Sequence, residues 1–382
     1  MKKKYLMAPG PTPVSPEVLL EMAQPIIHHR SPQFSEILAE VREGLKYLFQ
    51  TKNEVLTLVA TGTGGMEGSV SNLLAKGDKG LVVRGGKFGE RWAQIISAYG
   101  LTPVNIDVEW GYGPDPGVIR DHLKKDSAIK AVYVQAHETS TGVKFPIQEI
   151  GAVVKEFSGV ALVVDAISAL GVYDIKTDDW GLDVVVSGSQ KAMGLPPGLA
   201  FVSLSELALE MMARSDLPKF YFDFKKERKN LLENKGAYTS AVSLVFGLRK
   251  VLRDIKAEGL EVMFARHALL AKAARAAATA LGLAMFPKDS PSETLTVFLA
   301  PEGMDAGKIV KILRDKHGVT VAGGQDALKG KIFRISHMGY VDRFDLITAL
   351  SALEMTLMEL GYKFEVGAGV KAAEEVFIGG AQ

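Results

Sequence analysis

Seven apolar, β-branched runs in the first half of the chain limit its possible folds more than any other feature. They are Val55–Val59, Leu81–Arg84, Val104–Val108, Ala131–Gln135, Ala161–Asp165, Val184–Ser187 and Ala200–Ser203. An alternating strand can leave one face wet, whereas a continuously apolar strand must be covered on both. Segments with apolar positions at helical spacing, such as Phe88–Tyr99 and Ile147–Phe157, lie between most of the runs. The pattern predicts an α/β fold in which helices cover both faces of a seven-stranded, mostly parallel sheet. Ligands of such sheets bind beyond the carboxyl ends of the strands.

After Ser205 the texture changes. Long helical stretches, Tyr238–Glu258 and Leu260–Gly282, precede short strands near Thr294–Leu299, Val319–Val321 and Ile332–Ser336. Amphipathic segments at Ala306–His317 and Arg343–Leu360 sit among those strands. This reads as a large domain over 16–259 and a smaller C-terminal α+β domain over 260–382. The charge-dense stretch Lys225–Lys235 reads as an exposed loop. No internal repeat or low-complexity tract interrupts the chain.

Composition narrows the function. The 382 residues are 47% apolar and 23% charged, as in ordinary soluble globular proteins. A net charge of +1, with acids and bases interspersed, gives no electrostatic reason to expect a nucleic-acid partner. There is no cysteine, which excludes disulfides, thiol catalysis and cysteine-ligated metal, and fits a reducing compartment. Met1-Lys2-Lys3-Lys4 has the charge of a signal-peptide start, but Pro9, Pro11, Pro13 and Pro16 stand where its apolar stretch should be. No run reaches the length of a membrane span. The expectation is a soluble cytoplasmic protein, with no residue cluster put forward as a metal site.

Chemistry concentrates at the ends of the runs. Lys191 follows Val184–Ser187 at once, within Ser187-Gly188-Ser189-Gln190-Lys191, and Pro196-Pro197-Gly198 closes that loop. Asp165 ends another run. A lysine and a carboxylate at one sheet edge are what a pyridoxal-phosphate enzyme needs, the lysine for a Schiff base and the carboxylate for the pyridine nitrogen. Taken singly, Lys191 could be a solvated loop residue and Asp165 a helix N-cap. The turn Thr61-Gly62-Thr63-Gly64-Gly65 follows the first run and precedes a helix-like run, Met66–Leu74. Its backbone N–H groups and hydroxyls suit a phosphate monoester; a plain tight turn is the alternative. It is neither a dinucleotide fingerprint nor a P-loop. Phe88 follows the second run and could stack on a flat ring or simply open a helix. Thr139, in His137-Glu138-Thr139-Ser140-Thr141-Gly142, could bond a cofactor oxygen or its own turn.

With these residues in view, the chain resembles class V aminotransferases of the alanine–glyoxylate and serine–glyoxylate (serine–pyruvate) type, within the fold-type I pyridoxal-phosphate enzymes. The similar stretches are Ala8-Pro9-Gly10-Pro11-Thr12, Phe49-Gln50-Thr51-Lys52-Asn53, Glu138-Thr139-Ser140-Thr141-Gly142 and Ser187-Gly188-Ser189-Gln190-Lys191. The resemblance implies that Lys191 carries the cofactor, Asp165 partners its pyridine nitrogen and Phe88 stacks on its ring, where relatives often have tryptophan. It gives Thr61, Gly62, Thr63 and Gln190 to the phosphate and Thr139 to the ring oxygen. Tyr238 and Thr239 match a segment that reaches the neighbouring subunit's phosphate site, so a homodimer with shared active sites is implied. Arg334 matches the binder of the substrate carboxylate, and residues 1–15, with Gly10, lie near the site. His337 could border the site, with a core or loop role as the alternative.

The implied activity moves an amino group from a small amino acid, alanine or serine, to glyoxylate or pyruvate, with ping-pong kinetics. No second arginine stands out to hold an acidic side chain, which disfavours aspartate or glutamate as donor. Without cysteine, desulfurase chemistry is closed. A donor of another kind, such as aspartate or a phosphonate-bearing amine, is one competing reading. Others are a cofactor-binding subunit without transferase activity and a doubly wound nucleotide-binding protein.

Overall fold

The computed structural model describes residues 3–380; Met1 and Lys2, half of the lysine-rich start, lie outside the described residues. All seven apolar runs become strands of one sheet. In chain order they are β1 (Val55–Ala60), β2 (Lys79–Arg84), β3 (Pro103–Asp107), β4 (Ile129–Gln135), β5 (Ala161–Asp165), β6 (Val184–Gly188) and β7 (Gly198–Leu204). They lie in the order β1-β7-β6-β5-β4-β2-β3. Only β7 runs against its neighbours, pairing antiparallel with both β1 and β6. The loop joining β6 to β7 covers residues 189–197. A parallel crossover needs roughly a dozen residues or more, so this shorter link forces a reversal.

The strands are apolar throughout because their alternate residues feed two different cores. Leu162 and Val164 of β5 enter one core, Ala161 and Val163 the other. Helices Pro32–Phe49 and Val242–Glu258 cover the first face, and Gly62–Leu73, Lys87–Ala98 and Glu206–Arg214 cover the second. Register then sets the ligand edge: Asp165 lies level with Gln135 of β4 and Val186 of β6.

A further core forms around the antiparallel strands Leu295–Leu299, Ile332–Ser336 and Ala322–Gly323, and Phe298 stacks on Phe333 there at 4.9 Å. Helices Leu260–Ala280, Arg343–Glu359 and Ala368–Gly379 complete it. The N-terminal segment joins the same core, with Met7 buried in it and Tyr5–Leu6 paired parallel to Val319–Thr320.

Some expectations need correction. Lys225–Lys235 is a loop only over its last four residues, since Phe224–Leu231 is helical. The Asp223 carboxylate accepts from the Lys225 and Lys226 N–H groups, and Phe224 and Leu231 are buried on one side. Two apolar residues at helical spacing therefore outweigh the charge between them. The helix expected from Tyr238 starts only at Val242, and the one expected from Met66 starts earlier, at Gly62. Among the described residues no helix is long and apolar enough to cross a membrane.

Candidate active site

Lys191 emerges from a loop held by its own hydroxyls and carbonyls. Ser189 Oγ donates to the Pro196 carbonyl at 2.7 Å and accepts from the Leu199 N–H at 3.2 Å. Thr12 Oγ1, from the N-terminal segment, donates to the Lys191 carbonyl at 2.7 Å. The Lys191 amine donates to the Pro9 carbonyl. Gly10 leaves it room: at φ +124°, a Cβ there would stand 2.5 Å from Nζ. Burial pulls the amine down to about 8, opposed in part by Asp165 and reinforced by Arg334 and Arg91.

Asp165 ends β5 and accepts from the Ile167 N–H at 2.8 Å. Turns rather than a helix follow it, so it is not an N-cap. Burial raises its carboxyl to about 6, while the Ile167 N–H, Arg91 and Lys191 all draw it back down. At neutral pH it is therefore mostly ionised.

The glycine turn after β1 is itself the first turn of the Gly62–Leu73 helix. Thr61 holds the N-cap position in an extended conformation, but its side chain makes no capping bond, and no acid lies in the first turn. The amino end of a twelve-residue helix is thus left to whatever fills the adjacent cavity. Gly62 packs closely against the loop after β5: a Cβ there would lie 2.4 Å from Ile167 Cδ1, and that side chain would have to move.

Thr61, Gly62, Thr63, Phe88, Thr139, Asp165, Gln190 and Lys191, all singled out in the sequence, line one cavity of about 440 Å³. Three further lining residues were missed: Arg91, Ile167 and Ser168. Spacing could have found two of them, since Arg91 is one helical turn after Phe88 and Ser168 is three residues after Asp165. The Thr139 hydroxyl lies 2.7 Å from Ser168 Oγ, which lies 2.9 Å from Nδ1 of the buried His137. Thr139 therefore bonds across the cavity wall rather than to its own turn.

Glu138 was also missed as a functional residue. Its buried carboxylate accepts from the N–H groups of Phe88, Gly89 and Ser140, each at 3.1 Å, and from Ser140 Oγ at 2.5 Å. It thereby fixes the start of the Lys87–Ala98 helix and the ring of Phe88. Burial raises it to about 7 against the pull of these donors.

Arg334 lies outside the cavity lining but is bonded to it. Nε and Nη2 donate to the Gly323 carbonyl at 3.1 and 2.6 Å, and Nη1 donates to the Thr139 carbonyl at 3.0 Å. One N–H on each terminal nitrogen stays available, the pair that a carboxylate takes side by side. Burial lowers this guanidinium only to about 10, so it keeps its charge. Tyr238 and Thr239 are not brought to this chain's cavity: Tyr238 stacks on Tyr221 at 5.0 Å and donates to the Phe220 carbonyl, and Thr239 is exposed. His337 is a core histidine bonded to Thr296. Arg91, an arginine not singled out in the sequence, stands on the Thr63 side of the cavity, bonded to that residue.

These residues fit pyridoxal phosphate. An amine of lowered basicity meets an ionised carboxylate across the cavity, an aromatic ring forms one wall, and an uncapped helix end awaits an anion. The Gln190 side-chain oxygen is buried there without a partner. Fold and site together define a fold-type I pyridoxal-phosphate enzyme, and pyridoxal phosphate is its cofactor. Residues 4–348 match the family model described as aminotransferase class-V, and the chain belongs to that family. It is an aminotransferase.

The chain is 46% identical to the soluble hydrogenase small subunit of Synechococcus sp. over 98% of both chains. It is 36% identical to serine–glyoxylate aminotransferase of Methylorubrum extorquens, covering 97% of this chain and 95% of that one. The crystal structure of ureidoglycine–glyoxylate aminotransferase from Bacillus subtilis superposes with a TM-score of 0.94 at 30% identity, over 99% of each chain. Hydrogenase in the first name finds no matching ligand set here: iron–sulfur clusters are held by cysteine thiolates, and this chain has no cysteine.

Proposed function

We propose that this aminotransferase takes the amino group of a small amino acid, serine or alanine, and delivers it to glyoxylate or pyruvate. The observation that carries the reading is the buried Lys191 amine, which shares one cavity with Asp165 and with an uncapped helix end. Two relatives support the acceptor, because their names differ in donor, serine and ureidoglycine, but share glyoxylate.

Bound pyridoxal phosphate supplies a carbonyl that condenses with amines and a ring that takes up the electrons left at the substrate α-carbon. The chain's residues do the rest. With a basicity near 8, roughly a tenth of Lys191 is a free amine at pH 7, enough to be a nucleophile. When not bound to the cofactor, that amine would be the base that takes the proton from the donor's α-carbon. Asp165 holds a proton on the pyridine nitrogen, and Phe88 stacks on the ring. Thr61, Gly62, Thr63 and Gln190 hold the phosphate, and Thr139 the ring oxygen. Arg334 orients the substrate carboxylate through its remaining fork, and Gly10 keeps the space around Lys191 open.

We further read 16–259 as the cofactor-binding domain and 260–382 as the small domain, on the strength of their separate cores. Tyr238 and Thr239, which do not line this chain's cavity, support a homodimer in which each chain completes its partner's phosphate site, and we place that dimer in the cytoplasm. A donor-by-acceptor screen of half-reactions tests the function. Serine or alanine should bleach the cofactor's visible band, and glyoxylate or pyruvate should restore it. Bleaching by aspartate alone would overturn the donor assignment.

A further inference from the structure

We propose that Arg91 is a phosphate-side residue of the cofactor site, supplying the positive charge that the glycine turn lacks. This rests on the reading of the cavity as a pyridoxal-phosphate site. Arg91 lines the cavity beside Thr61, Gly62 and Thr63. Its Nη1 donates to Thr63 Oγ1 at 3.1 Å, and its guanidinium carbon lies 4.8 Å from the centre of the Phe88 ring. The ring contact and the hydroxyl together aim the fork at the turn.

Charge balance makes the case. Arg42, Arg84, Arg120, Arg214, Arg249, Arg253, Arg266 and Arg314 each face a carboxylate. Among the described residues Arg91 makes no ion pair: Thr63 and Phe88 are its direct contacts, and Asp165 in the same cavity feels its charge without bonding it. It stands instead beside the positive end of the Gly62–Leu73 helix, which has neither a capping side chain nor an acid in its first turn. The guanidinium and the helix end carry the same sign beside Thr63, so that corner of the cavity favours an anion. A phosphate dianion matches both, with a planar fork on one side and backbone N–H groups on the other.

The test compares binding of pyridoxal 5′-phosphate and of pyridoxal, which lacks the phosphate, to the apoprotein by absorbance titration. Arg91→Gln should weaken binding of pyridoxal phosphate by roughly 10- to 100-fold, the worth of one charge-assisted hydrogen bond. Pyridoxal affinity should stay within about twofold, because the ring contacts remain. Inorganic phosphate should compete with pyridoxal phosphate less well in the variant than in the wild type. Arg91→Lys, which keeps the charge without the fork, should retain part of the preference for the phosphorylated ligand and serves if the glutamine variant does not fold. Equal weakening of both ligands would assign Arg91 to the ring or the fold, and unchanged affinities would remove it from the site. Either result overturns the proposal. A wild-type apoprotein that binds neither ligand would instead overturn the cofactor reading beneath it.

Discussion

Glu138 illustrates how much a single residue can carry without touching ligand. Everything its carboxylate meets is a donor: three backbone N–H groups and a serine hydroxyl. Glutamine in its place offers a single acceptor oxygen and turns an N–H toward other N–H groups. Glu138→Gln should cost about 1–3 kcal/mol in chemical denaturation and loosen Phe88. The pH dependence has a definite sign. Burial lifts Glu138 to about 7 and Asp165 to about 6, so between the ordinary carboxylate range and those values the folded chain binds more protons than the unfolded one. Their contribution to stability is full at acid pH and is lost as pH rises toward about 7. Thermal midpoints measured from about pH 4 to 8 should fall less steeply in Glu138→Gln than in the wild type. Parallel curves would remove Glu138 as a source of the slope.

At the scale of elements, helix starts decide what the sheet edge can do. Ser15-Pro16 and Ser31-Pro32 open helices with serine caps and proline in the first turn, a signal written locally in the sequence. Asp223 does the same for Phe224–Leu231. Thr61 occupies the same kind of position but leaves its helix uncapped, and this is the helix that faces the cavity. A missing side-chain cap alone does not mark a ligand site, since Ile147–Val154, Val242–Glu258, Leu260–Ala280 and Ala368–Gly379 also start without one; at Thr61 it matters because that end lines the cavity. Asp223→Ala should destabilise the chain by about 1 kcal/mol in urea titration while leaving cofactor affinity unchanged. A fall in cofactor affinity would tie that helix to the site.

For the whole molecule the question is assembly, because Tyr238 and Thr239 do not line their own chain's cavity. If sites are shared, a chain lacking Lys191 can still lend Tyr238 to its partner. Lys191→Ala and Tyr238→Ala proteins, each weak alone, should therefore regain activity when co-expressed, as each mixed dimer holds one intact site. No gain on mixing, at matched concentration, would argue for self-contained sites. Light scattering should give twice the chain mass.

The sequence by itself determined the sheet, because strands covered on both faces must be apolar at every position and no other element reads that way. It also determined the edge where chemistry gathers, since Lys191, Asp165, Thr61, Phe88 and Thr139 all lie just past or at the ends of apolar runs. The helix at Phe224–Leu231 was obscured by its charge, although Phe224 and Leu231 carry the signal. Only the tertiary structure decided which neighbours complete the site. Arg91, Ser168 and Glu138 come from different loops and helices, and nothing local marks an arginine as lacking a carboxylate or a glutamate as facing only donors. Those properties belong to pairs of residues far apart in the chain, and the sheet's register, by bringing β2, β4 and β5 to a common edge, creates them.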